Sequence, residues 1–361
     1  MNREITSLIT LLLVIISSCT QKTENNSDTI DASKAGITLE ERFIPDPDTI
    51  FMSKEFIQSM DLLRPPTKEA LMNYPKNAAE WKAMQNSRDS ATILNVEKLS
   101  SAWSINIEKS EINNVTIFYV IPEEIDMDYE RSWFIHIHGG GYFLNAGKAG
   151  TMEAVILAHY LKIPLISIDY GLVPDHPFPD GLNDVLNAYN GILQKYPDHN
   201  LFMGGTSAGG SLALSTVFEL KSYGNRLPNA LFIGTPGSDV NKTGDSWYTN
   251  ADVDRVLGSY EGLLDEATRL YANGKNQTDP LISPVYGNYQ DFPPAFLITG
   301  TRDLLLSNTV RVDMKLREAG VKTKLVVIEG HSHADYLLVH QAPESQVALN
   351  DLNSFLKNYL E

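Results

Sequence analysis

The chain has 361 residues, 43% of them apolar and 20% charged, enough to build a large core as one domain or as a domain with a smaller cap. Its formal charge of −16 makes a surface that repels phosphate backbones, so no nucleic-acid partner is expected. Cys19 is the single cysteine, which rules out an intramolecular disulfide and, in practice, a thiolate metal cluster or a cysteine protease.

At the N-terminus, residues 1–7 carry one basic side chain, Arg3, offset by Glu4. Residues 8–16 are almost wholly apolar, and Ser17-Ser18-Cys19 follows. A bilayer span needs about 20 residues, so residues 1–18 read as a signal peptide. Small residues before a cysteine at the end of an apolar run resemble the lipobox of bacterial lipoproteins. That resemblance implies cleavage before Cys19, a lipid on its sulfur and a place in the bacterial cell envelope. Thr20 offers no inner-membrane retention signal, which favours the outer membrane. The alternative is an ordinary secretory signal, or a short anchor, with a chance cysteine. Residues 19–45 are read as a polar tether, the stretch 21–37 lacking any periodicity.

The folded body is expected over residues 46–361. Residues 53–86 have apolar positions at mixed helical spacing, broken by Pro65-Pro66 and Pro75, which predicts several short helices. Strands are then expected at 103–109 and 115–121, with a turn near Asn113-Asn114, and at 133–137. A helix over 152–160, a strand over 164–170 and a helix over 182–196 follow. The strand 200–205 runs directly into a glycine turn and the helix 211–220. Further strands fall at 230–234, 295–300 and 323–330, with a helix at 310–319 between the last two. This alternation implies an α/β class: a largely parallel, buried sheet with helices on both faces. In such folds ligands sit beyond the carboxyl ends of the strands. Residues 236–292, with a helical stretch at 260–272, interrupt the rhythm. They are read as an insertion that, with residues of about 50–90, forms a helical cap.

Gly205-Thr206-Ser207-Ala208-Gly209 lies between the strand 200–205 and a helix. A serine on a tight strand-to-helix turn projects its hydroxyl above the sheet edge, and small neighbours permit the bend. The helix N-terminus then faces developing negative charge. A nucleophilic serine needs a base, an orienting acid and an oxyanion site. The glycines of His136-Ile137-His138-Gly139-Gly140-Gly141 leave backbone N–H groups open to a carbonyl oxygen where the strand 133–137 ends. His331 and His333 are candidate bases, and Asp303 is a candidate acid. Ser207, Asp303 and His333 each sit just past a predicted strand, so groups distant in sequence converge on one rim.

With this content the chain resembles the hormone-sensitive-lipase-like esterases of the α/β-hydrolase fold over roughly residues 95–361. The family's oxyanion loop is matched by His138-Gly139-Gly140-Gly141 and its nucleophile elbow by residues 205–209, with Thr206 where many members have aspartate. Its D-Y-x-L-x-P-E-H-P-F-P segment appears as residues 169–179, with Asp175 for the usual glutamate. Residues 279–284, Asp-Pro-Leu-Ile-Ser-Pro, match a stretch ahead of the acid. The resemblance implies Ser207 as nucleophile, Asp303 as acid, and Gly140, Gly141 and Ala208 as oxyanion donors. Its E-G-x-x-H pattern, here Glu329, Gly330 and His333, selects His333 over His331 as base.

The expected activity is hydrolysis of short to medium acyl esters without a metal or organic cofactor. Substrates would be small-molecule esters or, given an exported enzyme, acetylated glycans. Trp247, Tyr248 and Tyr260 are candidates for lining the acyl or alcohol pocket. The pairs His136/His138 and His331/His333, the latter with Asp335, carry metal-compatible spacing, but the oxyanion loop and the triad account for them better. The competing class is a hydrolase fold without activity, serving as a surface binding lipoprotein. An oligomer is compatible with the sequence.

Overall fold

The computed structural model describes residues 52–62 and 64–361. The signal peptide, Cys19 and the tether lie outside the described residues. Three helices come first: Lys54–Leu62, Lys68–Met72 and Ala78–Ala102. Thr67 and Asn77 cap the second and third, each side chain accepting a backbone N–H of the first turn. Glu80 completes the second cap by reaching back to the Lys76 N–H at 2.8 Å. The 25-residue helix runs well past the short helices expected to residue 86. Its later part is polar on most faces, so it shows little helical periodicity.

Trp103 closes that helix, donating its N–H to Leu99. The first strand therefore begins three residues later than expected, as β1, Asn106–Ile112. It pairs antiparallel with β2, Val115–Ile121, through Asn113 and Asn114, both at positive φ as a tight hairpin turn requires. The remaining strands are β3 (Ser132–Ile137), β4 (Leu165–Ile168), β5 (Asn200–Thr206), β6 (Ala230–Gly234), β7 (Ala295–Gly300) and β8 (Thr323–Ile328). They form one eight-stranded sheet in the order β1-β2-β4-β3-β5-β6-β7-β8. β2 meets β4 antiparallel, and every pairing from β4 to β8 is parallel.

Alternate residues of each strand feed two cores. On one face Ile135, Ile137, Leu201, Met203 and Leu297 pack with the helices Asp180–Lys195, Ala208–Ser222 and Leu306–Glu318. On the other, Phe134, Phe202, Phe232 and Phe296 pack with Met152–Leu161 and the C-terminal helix Pro343–Lys357. Both faces are covered, which is why the central strands are apolar at successive positions rather than alternating. Among the described residues no helix is long and apolar enough to cross a membrane.

Where β5 turns into the helix Ala208–Ser222, the backbone passes directly over the end of β3. A Cβ at Gly205 or at Gly209 would collide with the Ile137 carbonyl oxygen. Only hydrogen fits at either position, and that close approach brings the turn against the loop after β3. Gly209→Ala should therefore force a backbone shift and cost about 2–3 kcal/mol. Urea denaturation, compared with Gly237→Ala, where the nearest atom is 3.6 Å away and φ is not positive, measures the steric part.

Candidate active site

Ser207 stands between β5 and the helix Ala208–Ser222 at φ 61°, ψ −121°, a conformation side chains other than glycine rarely hold. It is held there from both sides. Its N–H donates to Gly234 at the end of β6 (2.8 Å), and its carbonyl accepts from Ser211 (3.1 Å) and Gly237 (3.2 Å). Beneath it, Thr206 has its hydroxyl on Glu153 Oε1 (2.5 Å) and on the Tyr336 hydroxyl (2.6 Å). Glu153 Oε2 lies 3.3 Å from His136 Nε2, and His136 Nδ1 meets Ser167 at 2.9 Å. Thr206 itself carries no carboxylate, and Glu153 of the helix Met152–Leu161 brings one to its hydroxyl.

The loop after β3 is held by residues from two other segments. Gly140 and Gly141 take φ of 120° and 61°, and the Gly140 carbonyl closes a turn onto Phe143 and Leu144. From the helix Ala78–Ala102, the Gln85 amide donates to the Phe143 and Val173 carbonyls, both at 2.7 Å. One turn on, Asp89 accepts from the N–H groups of Asn145 (2.8 Å) and Ala146 (3.1 Å). Asp169 accepts from Gly147 at 2.7 Å, while Tyr170 stacks on His138 and donates to its carbonyl at 2.8 Å. The D-Y pair of the 169–179 segment thus props the glycine loop. Burial pushes the His138 imidazole down to about 3, so it is neutral. Its Nδ1 faces the Gly139 carbonyl at 2.8 Å.

Asp303 and His333 lie in the loops after β7 and β8, and both are buried. His333 Nδ1 is 3.2 Å from Asp303 Oδ1, which also accepts the Leu305 N–H at 2.8 Å. Oδ2 accepts the hydroxyls of Thr299 (2.6 Å) and Thr235. With its proton on Asp303, Thr235 has a lone pair left for His333 Nδ1 at 2.9 Å. Both neighbours of Nδ1 therefore accept, which keeps the proton on Nδ1 and leaves Nε2 bare. Burial works to raise the Asp303 carboxyl. The His333 charge and the hydrogen bonds from His333, Thr235 and Thr299 outweigh it and hold Asp303 below the ordinary carboxylate value. Burial works to lower His333, and Asp303, with Asp254 and Asp335 behind it, outweighs that and raises the imidazole above its ordinary 6.5.

Ser207, Ala208, Gly140, Gly141 and His333 line one cavity of about 660 Å³, behind which Asp303 is buried. Its walls are mostly apolar, with Leu71, Trp247, Leu257, Tyr260, Leu263 and Leu337 among them. Tyr248 is a correction to the expected lining: it is exposed and lies over Lys242. His331 is turned away from this cavity and stacks on Phe56 at 4.3 Å, nearly parallel. Burial and the nearby Arg255 charge push it down to about 3. The histidine pairs with metal-compatible spacing are spent on separate partners, His136 on Ser167 and Glu153, and Asp335 on Arg255.

Several residues of this assembly were not singled out from the sequence. Thr235 carried a signal, since it directly follows β6 at the same rim as the other loops. Gln85 and Asp89, four apart, share one face of a helix, but only the folded chain shows what that face touches.

The sequence matches the family described as the alpha/beta hydrolase fold over residues 134–337. It is 28% identical over 249 residues to an esterase of Acinetobacter venetianus, covering 68% of this chain and 81% of that one. To the hormone-sensitive lipase of Homo sapiens it is 31% identical over 186 residues, half of this chain and 16% of that one. Among solved structures, that of esterase E25 superposes with a TM-score of 0.86 at 40% identity, covering 90% of this chain and 99% of the other.

Asp89→Ala should leave two partly buried backbone N–H groups of the glycine loop without their acceptor, at a cost of about 1 kcal/mol. Asp89→Asn, which keeps one acceptor oxygen, should lose about half of that. Unfolding midpoints in urea at constant slope measure both, and equal stability of all three proteins would mean the loop does not depend on Asp89. The chain belongs to the α/β-hydrolase fold family, among its esterases related to hormone-sensitive lipase.

Proposed function

We propose that the protein is a serine carboxylesterase cleaving short to medium acyl esters through an acyl-enzyme on Ser207. The observation that carries this reading is the His333–Asp303 pair at 3.2 Å sharing one cavity with a serine on a strained elbow. His333 Nε2 takes the Ser207 proton as Oγ attacks the ester carbonyl. The N–H groups of Gly140, Gly141 and Ala208 hold the oxyanion, with the positive end of the helix Ala208–Ser222 behind them. His333 then protonates the leaving alkoxide. Water, activated by the same nitrogen, releases the acid and restores the serine. Asp303 stays ionised throughout and stabilises the imidazolium.

The apolar walls suit an acyl chain of several carbons. Support for activity over an inert binding scaffold is that each group the mechanism needs stands at the cavity or directly behind it. In this reading the insertion between β6 and β7 and the helices before β1 serve as the cap. The chain is further proposed to be held at the cell envelope by lipid on Cys19, as the sequence of residues 8–19 suggests, where acetylated glycans are candidate substrates. If Cys19→Ala stays membrane-bound and a labelled palmitate is still incorporated in a bacterial host, the lipid-anchor part of the proposal is wrong.

Release of acid from p-nitrophenyl esters, C2 to C12, alongside acetylated xylan, tests the activity. Ser207→Ala should lower kcat by about five orders of magnitude. The base must be neutral to act, and His333 is raised. So kcat/KM should fall as pH drops through a value above 6.5. Preference for acetyl, extending to the polymer, would identify a glycan deacetylase. Turnover of C4–C8 alone leaves a general carboxylesterase. Equal rates for wild type and Ser207→Ala would sink the serine mechanism.

A further inference from the structure

The insertion between β6 and β7 does more than wall the cavity. Residues 250–255 reach under it to both of the loops that carry the acid and the base. Asn250 Nδ2 donates to the carbonyls of Thr301 (3.1 Å) and Asp303 (2.7 Å). The wholly buried Asp254 accepts the Leu304 N–H on Oδ2 (2.8 Å) and those of Val256 (2.8 Å) and Leu257 (3.0 Å) on Oδ1. The next residue turns to the other loop. Arg255 N–H donates to Ser332 Oγ (3.2 Å), and its guanidinium grips the Asp335 carboxylate from Nε (3.0 Å to each oxygen) and Nη2 (2.9 Å). Asp335 Oδ2 in turn accepts the Ser332 N–H at 2.6 Å. Behind the guanidinium lie Ser59, at 3.1 Å from Nη1, and the Phe56 ring, whose partner is His331.

Two adjacent residues therefore hold the neighbours of Asp303 and of His333. A short mechanical link alone would not need an ion there. Asp254 is a buried carboxylate that no Lys or Arg contacts in the bonds described, and burying such a charge is costly. Burial, and next the Asp303 charge, push its carboxyl up to about 6, while the His333 charge pulls it down. The charged groups facing His333 are Asp303 from the loop after β7, Asp254 from the insertion and Asp335 from its own loop. Those facing Asp254 are Asp303 and His333.

We infer that Asp254 and Arg255 are positioning residues, a bracket that fixes the acid loop and the base loop at the spacing that keeps His333 on Asp303. The Asp254 carboxylate also acts on the base through space, as a second negative charge behind it. The inference rests on reading Ser207, His333 and Asp303 as the catalytic triad. The bracket explains why an insertion in a cap should matter to the chemistry: it carries the part that sets the relative position of two loops from different strands.

Asp254→Asn keeps the shape and one acceptor but removes the charge. NMR titration of the His333 imidazole should then give a midpoint lower by about half a pH unit or more. The acid limb of kcat/KM for p-nitrophenyl butyrate should move the same way. Asp254→Ala, which also strips the Leu304 N–H of its acceptor, should lower kcat about tenfold or more with KM within about twofold. An unmoved His333 midpoint in Asp254→Asn overturns the through-space effect of the Asp254 charge, and an unchanged kcat in a folded Asp254→Ala overturns the bracket. If Asp254→Ala fails to fold, Arg255→Lys, which keeps the charge but loses the Nε bonds to Asp335, takes its place, and an unchanged kcat there overturns the bracket. Should wild-type activity survive Ser207→Ala, the triad reading fails, and the His333 titration still decides whether Asp254 acts on that imidazole.

Discussion

Everything at this site depends on how closely the turn at Ser207 approaches the end of β3. Gly205 and Gly209 lie against the Ile137 carbonyl oxygen with no room for a side chain. That contact sets Ser207 beside the glycine loop that begins one residue later. Ser207 itself takes positive φ there, and the surrounding structure must hold it. Gly234, Ser211 and Gly237 do so through backbone hydrogen bonds. A strained turn of this kind persists because its neighbours over-determine it, not because its own conformation is favourable.

From that contact the site spreads outward in layers of polar groups that bond to one another. Under the elbow run Thr206, Glu153 and His136. Around the glycine loop stand Gln85, Asp89, Asp169 and Tyr170. Behind Asp303 and His333 lie Thr235, Thr299, Asp254 and the Arg255–Asp335 pair. A buried polar group without a partner costs more than a paired one contributes, so such layers hold one geometry. Under the proposed mechanism preorganised donors gain from this, since they need not reorient when the oxyanion forms.

The electrostatics follow the same layout. Asp303 keeps its charge in a buried position because two threonine hydroxyls, a backbone N–H and His333 all point at it. That charge, with those of Asp254 and Asp335, raises His333. His138 and His331, equally buried but lacking a facing carboxylate, are pushed the other way. Three histidines of similar burial differ because only one has acids in front of it.

The sequence alone determined the fold class, because short apolar strands alternating with helices can be covered on both faces in few ways. It also determined Ser207, Asp303, His333 and the glycine loop as candidates, because each follows a strand and parallel strands deliver their carboxyl ends to one rim. It missed the reach of the helix Ala78–Ala102, whose polar later turns lack the apolar stripe that marks a helix. The same gap hid Asp89 and the purpose of Gln85. Asp254 and Arg255 were decided by tertiary structure only, and Thr235, though its place after β6 was visible, found its partners only there. Their roles come from hydrogen bonds to residues 50 to 98 positions away, and no local pattern records which carbonyl or carboxylate will arrive opposite a given side chain. Periodicity reports which face of an element is buried, but only packing decides what that face meets.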